Sequence, residues 1–232
     1  AFRTGDLEKV YAVEPLEQVI DRLKSDLRNR HIARLKKLVV EKGLDVGFAF
    51  DGDADRCIAV DENGQVVNGD HILYVLAQHL KKSGELANNT VVTTIMSNLG
   101  LYRALEKAGF SYEQTTVGDR FIYENMTANG HVIGGEQSGH VILRKYATTG
   151  DGILTAIMVM ERIVDSKLPL SKLTEAVVMY PQITKNLRVP DKDAVLNHPA
   201  VQAKLAKCNT RLGSDGRMLL RKSGTEPVVR VM

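Results

Sequence analysis

The stretch Asp51-Gly52-Asp53-Ala54-Asp55-Arg56 constrains this chain more than any other. It follows an apolar run, Val46-Gly47-Phe48-Ala49-Phe50, and precedes a second one, Cys57-Ile58-Ala59-Val60. Helix neighbours lie three or four residues apart, so three carboxylates spaced by two cannot share a helix face. In a loop at the end of a strand they converge on one point. Converging carboxylates repel unless a hard divalent cation lies between them, and Mg²⁺ or Ca²⁺ prefers oxygen ligands. Gly52 and Ala54 keep the loop small, and Arg56 adds a fixed cation at its rim. Asp51, Asp53 and Asp55 are therefore predicted metal ligands between two strands. Three rivals stand beside this reading. In an EF-hand, Asp51, Asp53, Asp55 and Glu62 would fill positions 1, 3, 5 and 12, but the sharp turn at position 6 needs Gly and here is Arg56. A phosphatase with a nucleophilic Asp after a strand is the better rival. A purely structural polar turn is the third.

Composition narrows the classes. The chain has 232 residues and a net charge of +3 with both signs mixed throughout, which argues against a dedicated nucleic-acid surface. No apolar stretch approaches the roughly 20 residues of a membrane span, and no signal peptide is expected. The two cysteines, Cys57 and Cys208, are too few for a disulfide framework and lack metal-ligand spacing. Cys57 reads as a small core residue, and a reducing cytoplasm fits the whole.

Periodicity gives the elements. Leu16, Val19, Ile20, Leu23 and Leu27 recur at three and four, predicting a helix over 14–42. Its basic cluster, Arg28, Arg30, His31, Arg34, Lys36 and Lys37, reads first as a solvated face and second as an anion site. Strands are predicted at 46–50, 57–60, 90–95, 112–117, 132–134 and 141–143. Helices are predicted at 70–82 with Asp70 as N-cap, 98–108, 120–126 and 151–164. Strands alternating with helices from 46 to 165 predict an α/β fold with a mixed, largely parallel sheet layer. After Pro169 a small α+β unit is expected: a strand at 182–189, a helix at 197–207 and strands at 217–221 and 228–232. The last of these stops inside an apolar run and reads as a truncated element.

Three further sets of loops carry polar chemistry. Gly134-Gly135-Glu136-Gln137-Ser138-Gly139-His140 places a carboxylate, an amide, a hydroxyl and an imidazole within five residues, a set that suits the hydroxyls and amino group of a sugar. Arg221-Lys222-Ser223-Gly224-Thr225-Glu226-Pro227, with Arg230 beyond, offers guanidiniums, hydroxyls and turn N–H groups to a phosphate. Thr94–Asn98 and Thr116–Arg120 run from strand ends into helix starts, where α/β sheets bind ligands.

Together these strings resemble the α-D-phosphohexomutase family, in its glucosamine branch. Phe48–Arg56 is similar to the family's metal loop, Gly135–His140 to its sugar-recognition loop, and Arg221–Pro227 with Arg230-Val231-Met232 to its phosphate loop. Met96–Gly100, Val117–Arg120 and Thr148–Gly152 also fit, so the resemblance covers about residues 36–232. It implies Mg²⁺ on Asp51, Asp53 and Asp55, and Arg56 at the phosphoryl-transfer centre. His140 would lie near the reacting hydroxyl. Glu136 and Ser138 would hold sugar hydroxyls, and Arg221, Ser223, Gly224, Thr225 and Arg230 would grip the phosphate not being transferred. The implied activity is interconversion of glucosamine 6-phosphate and glucosamine 1-phosphate through a bisphosphorylated sugar, on the way to UDP-N-acetylglucosamine and peptidoglycan precursors. It implies a hexosamine phosphate substrate, no nucleic-acid or membrane partner, and is compatible with a homodimer.

The departures from the family are specific. Its phosphoserine lies in a Thr/Ser-Ala-Ser-His-Asn type loop, and no such string occurs among these residues. Lys222 stands where the glucosamine branch usually has Pro, and Lys145 where an acid usually precedes Tyr146. The expected organisation is a helical segment at 1–35 that does not resemble the family and the end of domain 2 with the metal loop at 36–68. Domain 3 with the sugar loop follows at 69–178, and a truncated domain 4 with the phosphate loop at 179–232. On this reading the isolated chain is inactive. The alternatives are a phosphomannomutase or phosphoglucomutase, or a non-catalytic sugar-phosphate-binding fragment.

Overall fold

The computed structural model describes residues 7–224 and 226–232. Helix α1, Leu7–Lys42, runs without a break past the expected boundary at 35. Its apolar positions Leu16, Val19, Ile20, Leu23 and Leu27 are 48–62% exposed, so this stripe finds no partner among the described residues. Arg28, Arg30, His31, Arg34 and Lys37 are exposed as well, in line with a solvated face. Only the last turns pack. Val39 is fully buried. A Cβ on Gly47 would lie 2.6 Å from Val39 Cγ2 and 2.8 Å from Leu35 Cδ1.

Strands β1 (Val46–Phe50), β2 (Cys57–Asp61) and β3 (Val66–Val67) form an antiparallel meander of their own. The sequence pattern placed β1 and β2 in one parallel layer with the later strands. A short connection permits only a hairpin, because parallel pairing needs a crossover of a dozen residues or more. Phe50 pairs with Cys57, so the acidic loop is the hairpin's tip.

The layer that does form has four strands: β4 (Thr90–Thr94), β5 (Ser111–Thr115), β6 (Ile133–Gly135) and β7 (Val141–Leu143). Their order is β5-β4-β6-β7. β4 runs parallel to β5 and β6, and β7 is antiparallel to β6, giving the mixed, largely parallel sheet expected. Helices α2 (Gly69–Lys82), α3 (Leu99–Lys107), α4 (Asp119–Asn129), α5 (Gly152–Ser166) and α6 (Leu170–Thr174) complete it. Alternation along β4 divides the core. Val91 joins Ile72, Leu73, Leu76, Leu101 and Leu105, whereas Val92 joins Ile122 and Met126 of α4. Ala59 and Val67 of the meander lie in the first cluster, so meander and layer share one core.

Asp70 is not the N-cap of α2. The helix starts one residue earlier than expected, and Asn68 caps it, its Oδ1 accepting from Asp70 N at 3.1 Å and His71 N at 3.4 Å. Asp70 lies inside the first turn and points into the protein, fully buried.

The final unit is a three-stranded antiparallel sheet, ordered β8 (Lys185–Arg188), β10 (Val228–Val231), β9 (Leu220–Lys222). The expected helix at 197–207 is the first part of α8 (Pro199–Leu212), and a short helix not expected, α7 (Lys192–Asn197), precedes it. The break falls before Pro199, whose missing N–H costs nothing in a first turn. The linker to this unit is fastened to the start of α3: Asn98 Nδ2 donates to Tyr180 O at 2.8 Å, and Tyr180 N donates to Asn98 Oδ1 at 2.9 Å. Among the described residues no helix is long and apolar enough to cross a membrane.

Gly139 and Gly84 separate two demands on glycine. Both have positive φ, +98° and +75°. A Cβ on Gly139 would lie 2.3 Å from Cys57 O, while one on Gly84 meets nothing. Gly139→Ala is expected to cost about 3 kcal/mol, strain and clash together. Gly84→Ala should cost about 1 kcal/mol. Thermal denaturation should show the larger Tm loss for Gly139→Ala, roughly 6–12 °C. Equal losses would mean that only the backbone angle matters at Gly139.

Candidate active site

The hairpin tip brings the three predicted metal ligands together. One carboxylate oxygen each from Asp51, Asp53 and Asp55 lies within 4.8 Å of the others. The turn is tight enough to hold Ala54 at φ +57°. Arg56 N donates to Asp51 Oδ1 at 3.2 Å, and its Nε lies 3.8 Å from Asp51 Oδ2 and 3.9 Å from Asp55 Oδ1. Burial and the neighbouring Asp51 push the Asp55 carboxyl above its usual range, against the pull of His140. Asp55 Oδ1 is buried with no hydrogen-bond partner. An oxygen-only, mutually repelling donor set with an orphaned oxygen fits a hard divalent cation. Glu62 is committed elsewhere, accepting from the Ser171 hydroxyl and, at 3.3 Å, from Ser171 N, so the EF-hand's twelfth ligand is not at this loop.

Other loops fix the tip in place. Cys57 N donates to Gly139 O at 3.0 Å, and Gly152 N donates to Ala54 O at 2.9 Å. His140, 4% exposed, spans the gap. Its Nε2 accepts from Gly150 N at 3.0 Å. The proton must then be on Nδ1, which donates to Asp55 Oδ2 at 3.0 Å. With both ring nitrogens engaged, His140 holds a carboxylate in place.

The sugar loop lies between β6 and β7. Glu136 Oε1 accepts from Gly118 N and Oε2 from Ser138 Oγ, each at 3.2 Å, which joins the loop to the β5–α4 turn. Gln137 points the other way. Its Nε2 donates to Asp70 Oδ2 at 3.1 Å and to Gln182 Oε1 at 3.2 Å.

The phosphate loop connects β9 to β10. Arg221 and Arg230 are direct cross-strand partners, so two like charges face the same side. Arg230 is paired with Glu226 Oε2 at 2.6 Å, yet the Nε of each arginine is buried with no hydrogen-bond partner. Burial and the adjacent Arg230 lower the Arg221 pKa, and Glu136 of the sugar loop opposes them. Ser223 is buried, with Oγ accepting from Glu226 N at 3.2 Å. Gly224 has open space around it. Thr225 lies outside the described residues.

Asp70, Asn98 and Arg217 belong to this region and were not singled out as site residues. Asp70 Oδ2 also accepts from Asn98 N at 2.7 Å, and the Arg217 guanidinium donates to Ser97 O. Asp70 carried little sequence signal, because Asn68, Gly69 and His71 beside it look like an ordinary solvated helix start.

Family models for phosphoglucomutase/phosphomannomutase match the chain in three parts. Alpha/beta/alpha domain II matches residues 7–64, alpha/beta/alpha domain III residues 68–180, and the C-terminal domain residues 185–232. The chain belongs to the phosphoglucomutase/phosphomannomutase family. The domain II match begins at residue 7, so it includes most of the stretch 1–35 that was expected not to resemble the family. Among curated relatives, the phosphoglucosamine mutase of Lachnoclostridium phytofermentans is 53% identical over 210 residues, covering 90% of this chain and 47% of the relative. That of Bacillus subtilis is 50% identical over 202 residues, covering 87% and 45%. The chain thus spans about half the length of the curated relatives it matches. Of solved structures, an N-acetylglucosamine-phosphate mutase in its product complex aligns with TM-score 0.68 at 20% identity, covering 84% of this chain and 48% of that one. The Aspergillus fumigatus N-acetylphosphoglucosamine mutase, in complex with GlcNAc-6P and magnesium, aligns with TM-score 0.67 at 20% identity, covering 79% and 44%. At that identity the likeness concerns the phosphohexomutase fold.

Burial pushes the Asp70 carboxyl up from 3.8 to about 6, against the hydrogen bonds it accepts. The folded state therefore binds this proton more tightly than the unfolded chain does. The favourable contribution is complete below about pH 4 and is lost as pH rises through 6, leaving a cost of about 3 kcal/mol at pH 8. Asp70→Asn should raise Tm by several degrees at pH 8 and change it little at pH 4. An equal difference at both pH values, measured by scanning calorimetry, would contradict this.

Proposed function

We propose that this chain carries the metal, sugar and phosphate loops of a phosphoglucosamine mutase and, as it stands, binds hexosamine phosphate without turning it over. The observation that carries the proposal is the cross-strand Arg221–Arg230 pair, whose buried, unpartnered Nε atoms call for an anion on the side that meets Glu136. The glucosamine assignment rests on the names of the relatives. In this reading Arg221, Ser223, Gly224, Thr225 and Arg230 hold the substrate's non-reacting phosphate, and Glu136 and Ser138 hold sugar hydroxyls. Arg56 stabilises charge at the transfer centre, while His140 keeps Asp55 turned to the metal. Asp51, Asp53 and Asp55 would hold Mg²⁺, which when bound neutralises charge on a phosphoryl group in transfer. The phosphoryl donor is a phosphoserine in the family, and no matching serine string occurs among these residues. A bisphosphorylated sugar as the exchanged intermediate, a cytoplasmic location and a homodimer belong to the same proposal.

Mg²⁺ should bind weakly to the wild type and not to Asp53→Asn in titration calorimetry, and equal affinities would remove the metal assignment. In an NMR titration, glucosamine 6-phosphate should shift resonances of the 135–140 and 221–224 loops. Arg221→Ala should weaken both glucosamine 6-phosphate and inorganic phosphate by roughly ten- to a hundredfold. Glu136→Ala should weaken the sugar phosphate alone. Shifts confined to the basic face at 28–37 would overturn the proposal.

A further inference from the structure

Asp70 is a fully buried carboxylate outside the metal loop, and no step described so far uses it. Burying a charge costs several kcal/mol unless fixed donors surround it. Those donors come from two separate parts of the fold. Asn98 N, at the junction of β4 and α3, donates to Oδ2 at 2.7 Å. Gln137 Nε2, in the middle of the sugar loop, donates to the same oxygen at 3.1 Å. Oδ1 is buried and has no protein hydrogen-bond partner. The N-terminus of α2, where Asp70 lies, favours the negative charge.

Each donor leads on to one half of the site. Gln137 is tied a second time, its carbonyl accepting from Gly69 N at 3.1 Å. A Cβ on Gly69 would lie 1.9 Å from Glu136 O, so the sugar loop sits directly on the start of α2. On the other side Asn98 holds the linker through both bonds to Tyr180, and a Cβ on Gly100 would lie 1.9 Å from Val178 O. Gln182, also in the linker, accepts from Gln137 at 3.2 Å. That linker leads into the unit bearing Arg221 and Arg230.

We infer that Asp70 is a positioning residue for sugar-phosphate recognition: through Gln137 it sets the sugar loop, through Asn98 it sets the linker that carries the phosphate loop, and it thereby fixes the separation of the two binding ends. This rests on the sugar-phosphate reading above. A rigid ligand with a hydroxyl end and a phosphate end requires that separation, whereas inorganic phosphate does not.

The test is a calorimetric and NMR titration of this chain with glucosamine 6-phosphate and, separately, inorganic phosphate. Asp70→Ala should weaken glucosamine 6-phosphate about tenfold. Phosphate affinity should change less than twofold. Asp70→Asn keeps an acceptor for Asn98 N, and the Gln137 amide can turn to accept from the new Nδ2, so it should restore most of the loss. Gln137→Ala should weaken sugar phosphate alone, and Asp70→Ala with Gln137→Ala should lose less than the two singly combined. A role confined to stability would lower both ligands together and follow Tm. Should Asp70→Ala not fold, Asp70→Asn and Gln137→Ala carry the comparison: Gln137→Ala binding both ligands as the wild type does overturns the inference. Wild-type shifts at the two loops with Asp70→Ala binding unchanged would overturn the inference and leave the sugar-phosphate reading intact. No wild-type shifts at either loop would overturn both.

Discussion

Three carboxylates at one hairpin tip repel, and the arrangement of this molecule depends on how that repulsion is contained. The hairpin alone cannot contain it: β1 and β2 supply the ends of the loop, and a six-residue tip has many ways to splay its side chains. Containment comes from elsewhere. Gly139 and Gly152 clamp the tip through the backbone, and His140 reaches Asp55 from a position locked by Gly150. These clamps come from the β6–β7 loop and the start of α5, so the metal loop is formed only when meander and layer are docked on their shared core. If the tip holds a metal as proposed, folding and metal affinity are coupled for that reason.

The same economy governs the opposite charge. Arg221 and Arg230 face one another across a strand pair, an arrangement that costs stability unless an anion or an acid relieves it. Glu226 relieves Arg230 in part, and Glu136 lies on the side from which Arg221 is opposed. Asp70 is a third, fully buried acid, held by Asn98 and Gln137. Such a buried group is weak as a source of stability and strong as a fixed reference point, because its donors cannot shift without leaving it unsatisfied.

The sequence was legible where signals are local. The strand bounds around Asp51–Arg56 follow from apolar runs broken by a Gly-containing acidic tip, and β4 follows from a β-branched run. It was illegible where partners are distant. Whether Asn68 or Asp70 capped α2 depended on which side chain faced the β6–β7 loop, sixty-odd residues away in sequence. The role of His140 required knowing that Gly150 N would occupy its Nε2. The break at Pro199 was legible and was passed over, since proline at a first turn is a known helix start. The apolar stripe of α1 predicted the helix correctly, and its residues are exposed, because periodicity reports that a face wants a partner and not where the partner lies.

The central claim is that the clamped tip at Asp51, Asp53 and Asp55 is where a divalent cation binds. Paramagnetic broadening by Mn²⁺ in amide NMR spectra tests it most directly, since broadening falls steeply with distance from the ion. At substoichiometric Mn²⁺ the amides of 51–56, of Gly139 and His140, and of Gly150 to Gly152 should broaden first and together, although they come from three separate parts of the sequence. Broadening centred instead on His79, Glu161 and Asp165, the other carboxylate-bearing cluster among the described residues, would contradict the account.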